Sequence, residues 1–163
     1  RDIMPDPSAA FARHDHHHCA RDGLAQAEAL LAGRRQRLTP VRRKTLEILL
    51  AEHRAMGAYD VLQILVAEGY GNQPPVAYRA LEFLVEQGLA HRVQRLNAFT
   101  ACMNPGEAHA PVFLICRGCN AVAETAAAPV RAALDTVASA LDFTVERSNI
   151  EALGLCPACG AGE

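Results

Sequence analysis

Apolar residues recur every three or four positions over most of residues 22–88, which is the spacing of amphipathic helices. Thr39 and Pro40 are typical of a helix start, because threonine caps free backbone amides and proline fits the first helical position. Glycines stand where three of the helices are expected to end. The pattern predicts helices at about residues 22–32, from Pro40 through Leu50, at 59–68, and from Pro74 to Gly88.

The stretch from Leu89 to Met103 favours strands rather than helices. Val93 and Phe99 favour extended structure, and Asn97 marks a turn, so this stretch is predicted to form a β-hairpin. Short helices followed by a hairpin are the layout of a winged helix. The helix that opens at Pro74 would then be the recognition helix, and the hairpin would be the wing.

The breaker segment Asn-Pro-Gly at residues 104–106 separates this pattern from a second one. After it, the sequence predicts strands at 112–115 and 121–124, a helix at 129–141, and mostly strand over 143–155. The chain is therefore expected to be an α+β protein in three parts. These are a flexible His-rich leader at residues 1–20, a winged-helix domain at 21–103, and a small α/β domain at 104–163.

Composition and charge narrow the class of protein. Half of the 163 residues are apolar, but only 5% are aromatic and none is Trp, so the core must be aliphatic. No apolar run approaches the roughly 20 residues that span a bilayer, and the N-terminus shows no secretory pattern. The expected compartment is therefore the cytoplasm, where thiols stay reduced. The net charge of −2 argues against a generic nucleic-acid binder, although basic residues outnumber acidic ones over residues 20–97.

Four of the six cysteines form two C-x-x-C pairs, Cys116 with Cys119 and Cys156 with Cys159. Together they supply four thiolates, the donor set of a closed tetrahedral zinc site. The alternative is a redox dithiol, which is normally one reactive pair at a helix N-terminus. Because there are two pairs, and both follow predicted apolar strands, a structural zinc site is predicted.

A second group of potential ligands lies in the leader. It could bind metal weakly, but the tract has no scaffold to fix its geometry, so a flexible leader is the preferred interpretation. Its members are His14, His16, His17, His18 and Cys19.

Several short segments spread over residues 22–160 resemble the ferric uptake regulator (Fur) family and, within it, the zinc uptake regulator (Zur) branch. A Leu-Asn-Ala-Phe run followed by a nearby cysteine, Cys102, looks like the zinc branch rather than the iron branch. The matching segments are Leu38–Arg43, Ala58–Asp60, Pro74–Arg79, Glu86–Leu89, Leu96–Phe99 and the two C-x-x-C pairs.

The resemblance implies a dimeric, metal-dependent repressor, in which residues 21–103 bind DNA and residues 104–163 dimerise and bind zinc. It also implies a regulatory zinc site, whose residues taken singly would each be ordinary surface or buried residues. The thiolate of Cys102 favours zinc over Mn(II) or Fe(II) in such a site. Two zinc ions per subunit are expected, one structural and one regulatory. The implied regulatory ligands are His91, Cys102, His109 and Glu124.

Tyr59 and Arg79 are the first candidates for DNA contacts. Arg79 lies early in the predicted recognition helix, where a guanidinium can pair with guanine or a phosphate, and Tyr59 opens the preceding helix. The alternative is that Tyr59 and Tyr78 belong to the core and that Arg79 is a surface charge. Weaker candidates, for phosphate contacts only, are Arg42, Arg43 and Lys44.

The expected function is a zinc-responsive transcriptional repressor, which binds operator DNA as a zinc-loaded homodimer and controls zinc uptake genes. Its expected partner is an A·T-rich palindromic duplex, with no membrane and no small-molecule substrate. One alternative is a Fur-family regulator that senses iron, manganese or peroxide. A zinc-dependent hydrolase is a less favoured alternative, since four protein ligands leave no open coordination position for water. The protein is therefore not expected to be an enzyme.

Overall fold

The computed structural model of the protein describes residue 11 and residues 16–52, 54–106, 110–125 and 128–161, with side chains of residues 16–19 outside the description. The chain divides into two compact units. The N-terminal unit comprises residues 12–106, and the C-terminal unit comprises residues 107–163 together with residues 1–11. The division falls directly after the breaker segment at residues 104–106.

The described residues of the N-terminal unit form four helices and a hairpin, in the predicted order. The elements are α1 (His16–Gly33), α2 (Pro40–Ala51), α3 (Ala58–Ala67), α4 (Pro74–Glu86), β1 (Ala90–Val93) and β2 (Ala98–Ala101). Thr39 caps α2 as predicted, because its hydroxyl accepts a hydrogen bond from the Arg42 amide. At the C-terminal end of α4, Arg34 donates a hydrogen bond to the carbonyl oxygen of Gln87 at 2.8 Å. This bond satisfies a free carbonyl and places a cation at the negative end of the helix.

Helix α1 begins six residues earlier than the sequence analysis predicted, so residues 16–20 of the expected leader are helical. Gly23 lies within this helix. A Cβ added at Gly23 would lie 2.8 Å from Leu50 Cδ2, so glycine allows α1 to lie close against α2. Close packing thus offsets the low helix propensity of glycine.

The core of the N-terminal unit is aliphatic, as the composition predicted. Its only polar member among the described residues is Thr45, whose hydroxyl donates to the Val41 carbonyl at 2.8 Å and so costs little to bury. Its least exposed large side chains are Leu31, Leu46, Leu49, Leu65, Leu81 and Leu84.

The hairpin is also fixed to the start of α3. In its register Arg92 lies opposite Phe99 and His91 lies opposite Thr100. A 3-10 turn joins the strands, and Asn97 completes the turn in the left-handed region at φ 46°. Met56, just before α3, exchanges two backbone hydrogen bonds of 2.8 Å with Phe99. The wing is therefore a continuation of the helical unit rather than an isolated ribbon.

The described residues of the C-terminal unit form a three-stranded sheet and two helices. Its elements are β3 (Val112–Cys116), β4 (Val122–Thr125), α5 (Ala128–Ser139), β5 (Ile150–Gly154) and the short helix α6 (Pro157–Gly160). The sheet order is β4-β3-β5, with β4 antiparallel and β5 parallel to β3.

The prediction that residues 143–155 are mostly strand was wrong. Only residues 150–154 pair with β3, and residues 143–149 have no regular structure. The β5 strand pairs with β3 along the whole of β3, from Val112 to Cys116, so β3 offers no further positions for a longer neighbour. An apolar or β-branched residue can favour extension, but a strand also requires a partner.

None of the described helices combines the length and the apolarity that a membrane span requires.

Candidate metal centre and nucleic-acid interface

The two C-x-x-C pairs meet in one cluster of four thiols. The Sγ atoms of Cys116, Cys119, Cys156 and Cys159 all lie within 4.8 Å of one another, and those of Cys119 and Cys156 are 3.8 Å apart. Four sulfurs arranged tetrahedrally at about 2.3 Å from zinc are separated by about 3.8 Å. The donor set and its spacing therefore fit a closed zinc site.

Strand topology explains why pairs 40 residues apart meet. Cys116 ends β3, and Cys156 follows β5 and caps α6. In the parallel register Cys116 lies opposite Gly154, so both chains leave the sheet at the same edge. Each strand therefore delivers its C-x-x-C turn to the same place.

Two thiols of this cluster have pKa values shifted in opposite directions. The Cys156 amide donates to Cys116 Sγ at 3.3 Å, and this hydrogen bond is the main cause that lowers the pKa of Cys116 to about 6. Contact with the Cys156 sulfur, followed by the other two sulfurs, raises the pKa of Cys159 to about 12. Because one thiolate hinders ionisation of the next, a bound cation is needed for all four to be thiolates at neutral pH.

The wing brings together two of the implied regulatory ligands. The Cys102 amide donates to the Leu89 carbonyl at 3.0 Å, which continues the register one position beyond β2. His91 and Cys102 are therefore diagonal neighbours on one face, and their ligating atoms lie within 4.8 Å of each other. Cys102 is buried and His91 is half-buried.

The other implied regulatory ligands belong to the C-terminal unit. Glu124 lies on β4 opposite Phe113 and is half-buried. His109 lies outside the described residues. In the leader tract, His14 also lies outside them, and of residues 16–19 only the helical backbone is described.

The candidate DNA-contact residues of α3 and α4 are exposed. Tyr59 is 68% exposed and Tyr78 is 51% exposed, so neither belongs to the core. Arg79 is exposed in the second turn of α4. The alternative that assigned the two tyrosines to the core is therefore excluded.

The three consecutive basic residues of α2 have different surroundings. Arg42 lies over the Phe83 ring of α4 with 3.6 Å between guanidinium carbon and ring centroid. Arg43 pairs with Glu28 of α1 and, at 3.3 Å, with Glu47. Lys44 pairs with Glu68, and the hydrogen bond that it donates to the Glu68 carboxylate is the main cause that raises the pKa of Lys44. Arg43 and Lys44 thus join helices, whereas Arg42 keeps a charge that no carboxylate of the described residues neutralises.

A winged-helix unit combined with a sheet unit that carries a four-thiol cluster defines the class of metal-binding winged-helix proteins, and similarity to known proteins narrows it. The chain is 39% identical over 137 residues to the zinc uptake regulation protein of Escherichia coli K12, a match that covers 83% of this chain and 80% of that protein. No model of a known protein family matches the chain.

Solved structures agree with this relationship. A zinc uptake regulator complexed with zinc and DNA is 38% identical, with a TM-score of 0.82, over 87% of this chain and 95% of that one. Holo XcZur is 32% identical, with a TM-score of 0.77, over 86% of this chain and 99% of that one. The chain belongs to the Fur family, in its branch of zinc uptake regulators, and the predicted α+β fold with a winged helix is confirmed.

Proposed function

We propose that this protein is a zinc-responsive transcriptional repressor, which binds operator DNA as a zinc-loaded homodimer and controls genes of zinc uptake. One observation carries the proposal. The chain, a member of the zinc uptake regulator branch, has both a four-thiol cluster and a winged helix on which Tyr59, Tyr78 and Arg79 are exposed. Arg79 would read a base or hold a phosphate, and the tyrosines would contact thymine methyls or phosphates.

Two zinc ions per subunit are proposed. The first is structural and is bound by the four-thiol cluster, since a small sheet unit gains stability from a metal cross-link. The second is regulatory and is bound by His91, Cys102, His109 and Glu124. The family resemblance supports this second site, as does the placement of His91 and Cys102 on the same face of the wing.

The regulatory ion would act on the orientation of the DNA-binding unit. Its proposed ligands come from the wing and from the C-terminal unit, so an ion held by all of them would restrict the separation of the two recognition helices in a dimer. Productive half-sites are about 34 Å apart, or a multiple of that distance. To change the ratio of DNA-binding to non-binding conformations from 1:99 to 99:1, zinc must bind the DNA-binding conformation about 10⁴-fold more tightly than the other.

Homodimerisation is proposed through the C-terminal unit, which leaves many large apolar side chains exposed. Parallel strand pairs are rarely left open to water, yet Leu114 of β3 and Leu153 of β5 are both exposed, on opposite faces of the sheet. Several large apolar side chains exposed in one small unit are typical of a subunit interface. The exposed apolar side chains are Leu114, Val130, Val137, Leu141, Phe143, Leu153 and Leu155.

The test of this function is a gel-shift titration of an A·T-rich palindromic duplex at buffered free zinc, repeated with iron and manganese. Zinc alone is expected to promote binding at low free concentration. Promotion by iron or manganese at equal or lower concentration would show a regulator of another metal. Identical binding by folded, dimeric protein with and without zinc would refute the proposal.

The regulatory site is tested separately by Cys102→Ser, which removes a soft ligand from the wing. This variant is expected to lose its zinc response in the gel-shift assay, with about one zinc ion per subunit retained and little change in thermal stability. Cys116→Ser is the comparison, since it is expected to destabilise the C-terminal unit itself. An unchanged zinc response in Cys102→Ser would exclude Cys102 as a regulatory ligand.

A further inference from the structure

One arginine of the wing is held in place by uncharged groups. Arg92 Nη2 donates to Asn97 Oδ1 at 2.6 Å, and the Arg92 guanidinium carbon lies 5.9 Å from the centroid of the Phe99 ring. Both partners orient the guanidinium without neutralising it, and no carboxylate in the described part of the chain pairs with it. The Arg92 side chain itself is exposed.

Three other cations of the N-terminal unit are neutralised by carboxylates, unlike Arg92 and Arg42. This contrast matters, because a neutralised cation has little electrostatic attraction left for another anion. An ordered and unneutralised cation offers its full charge, and part of its rotamer entropy is already lost. The neutralised pairs are Arg43 with Glu28, Lys44 with Glu68, and Arg54 with Glu52.

Backbone hydrogen bonds fix the position of Arg92 relative to the helices that are proposed to bind DNA. Arg92 lies opposite Phe99 in the hairpin, and Phe99 exchanges two hydrogen bonds with Met56 on its other side. Met56 lies three residues before the exposed Tyr59 in the first turn of α3. Arg92 and Met56 therefore flank β2 on its two sides, so backbone hydrogen bonds hold the start of α3 and the strand that carries Arg92 in a fixed relation.

We propose that Arg92 binds a phosphate of the DNA backbone beside the recognition helix, and that Asn97 positions it for this contact. The inference rests on the proposed function, for which it adds a contact from the wing. Because successive side chains of a strand point to opposite faces, Arg92 lies on the opposite face of the hairpin from His91. The same hairpin can therefore bind metal on one face and DNA from the rim of the other.

The substitution Arg92→Gln tests this contact in the zinc-loaded full chain. The probes are a fluorescent A·T-rich palindrome and a scrambled duplex, each titrated over a range of salt concentrations by anisotropy. A phosphate contact carries no sequence information, so binding of both duplexes should weaken by a similar factor, about tenfold at low salt. The slope of log K against log salt should fall by about 0.9. Loss of packing alone would not change that slope.

The substitution Asn97→Gly tests the positioning role. Glycine adopts the left-handed conformation of this turn without strain, so the substitution removes the side-chain oxygen and keeps the hairpin. The charge of Arg92 remains, so the salt slope should be unchanged while affinity falls severalfold. In the Arg92→Gln background the same substitution should have no further effect on affinity, because the two residues act as a unit.

Arg54→Gln is the matched control, since it removes an exposed arginine that is paired with Glu52 at 3.1 Å, and both affinity and slope should stay unchanged.

If Arg92→Gln folds, retains zinc and keeps the affinity and slope of the unsubstituted protein, the inference is overturned while the proposed function stands. If Arg92→Gln does not fold, unchanged affinity in Asn97→Gly overturns it. Failure of the unsubstituted protein to bind DNA in response to zinc would instead overturn the proposed function, and this inference with it.

Discussion

At the scale of single residues, the four cysteines of the cluster are chemically distinct although the sequence makes them look equivalent. Cys116 ionises readily because a backbone amide points at its sulfur, and Cys159 resists ionisation because it faces the other sulfurs. Gly118 lies in the first cysteine turn, close to Cys159. A Cβ added at Gly118 would lie 3.1 Å from Cys159 Sγ and 3.2 Å from Cys159 Cβ. The first turn therefore uses glycine to let the second cysteine pair approach.

Gly118→Ala should consequently weaken metal binding. The added methyl group must displace Cys159, and a change in the surroundings of a metal ligand typically costs at least about tenfold in affinity. Competition with a chromophoric zinc chelator would measure it. Gly160→Ala is the control, because its Cβ would make only an ordinary contact of 3.8 Å with Leu155 Cβ. Equal zinc affinity in the two variants would contradict the role given to Gly118.

The unequal pKa values predict a stepwise titration in zinc-free protein. The thiolate of Cys116 should appear as pH rises through about 6, and that of Cys159 only near 12. Ultraviolet absorbance of thiolates during a pH titration would show the first step, and Cys116→Ser should abolish it while Cys102→Ser keeps it. Since a lowered pKa means that protons leave earlier, the thiolate form is lost as pH falls below about 6. A single step near the ordinary thiol pKa would contradict this account.

At the scale of elements, α2 links its neighbours through three consecutive basic residues. Arg42 lies on Phe83 of α4, Arg43 pairs with Glu28 of α1, and Lys44 pairs with Glu68, directly after α3. Successive helical residues point about 100° apart, so adjacent positions reach different neighbours. A run of basic residues that suggests one DNA-binding patch therefore separates into one unneutralised cation and two ion pairs between helices.

The start of α2 offers a direct test of element stability. Thr39→Ala removes the side-chain acceptor of the Arg42 amide and should lower the free energy of unfolding by about 1 kcal/mol. Thr39→Ser keeps an acceptor and should lie close to the unsubstituted protein. Urea unfolding followed by circular dichroism would measure both. An alanine variant as stable as the serine variant would show that the capping bond contributes nothing.

At the scale of the whole molecule, the two units differ in what they leave exposed. The N-terminal unit closes an aliphatic core, with exposed tyrosines in α3 and α4. The C-terminal unit instead exposes Leu141 at 75% and Phe143 at 65%, just after α5. Large apolar side chains exposed in one small unit are typical of an interface, and a second copy of the chain is the partner proposed here.

Leu141→Asp should therefore weaken the dimer. A carboxylate at an exposed position of a monomer remains hydrated, whereas in an interface it must lose that hydration, which costs at least tenfold in the dissociation constant. Sedimentation equilibrium would measure the change. Val66→Asp, at an exposed apolar position of α3 that is 44% accessible, is the control for the substitution itself. Equal dissociation constants for the two variants would place the interface elsewhere.

Most local features were predictable from sequence because their causes are short-range. The Thr39-Pro40 start of α2, the ends of α3 and α4 and the turn at Asn97 all follow from residues within a few positions. Predictions failed where distant partners decide the outcome. Residues 143–149, which were predicted to be mostly strand, stay irregular because β5 already pairs with β3 along its whole length.

By itself, the sequence determined the order of elements, the aliphatic core and the four cysteines at metal-binding spacing. Only the tertiary structure decided that β5 lies parallel to β3, and this pairing is what brings the two cysteine turns to one edge of the sheet. Only the tertiary structure decided which cations are neutralised, because carboxylates from α1 and from beyond α3 reach Arg43 and Lys44. The physical reason is that spacing and capping act within one or two turns of chain, whereas strand pairing and ion pairing depend on which segments the folded core places side by side.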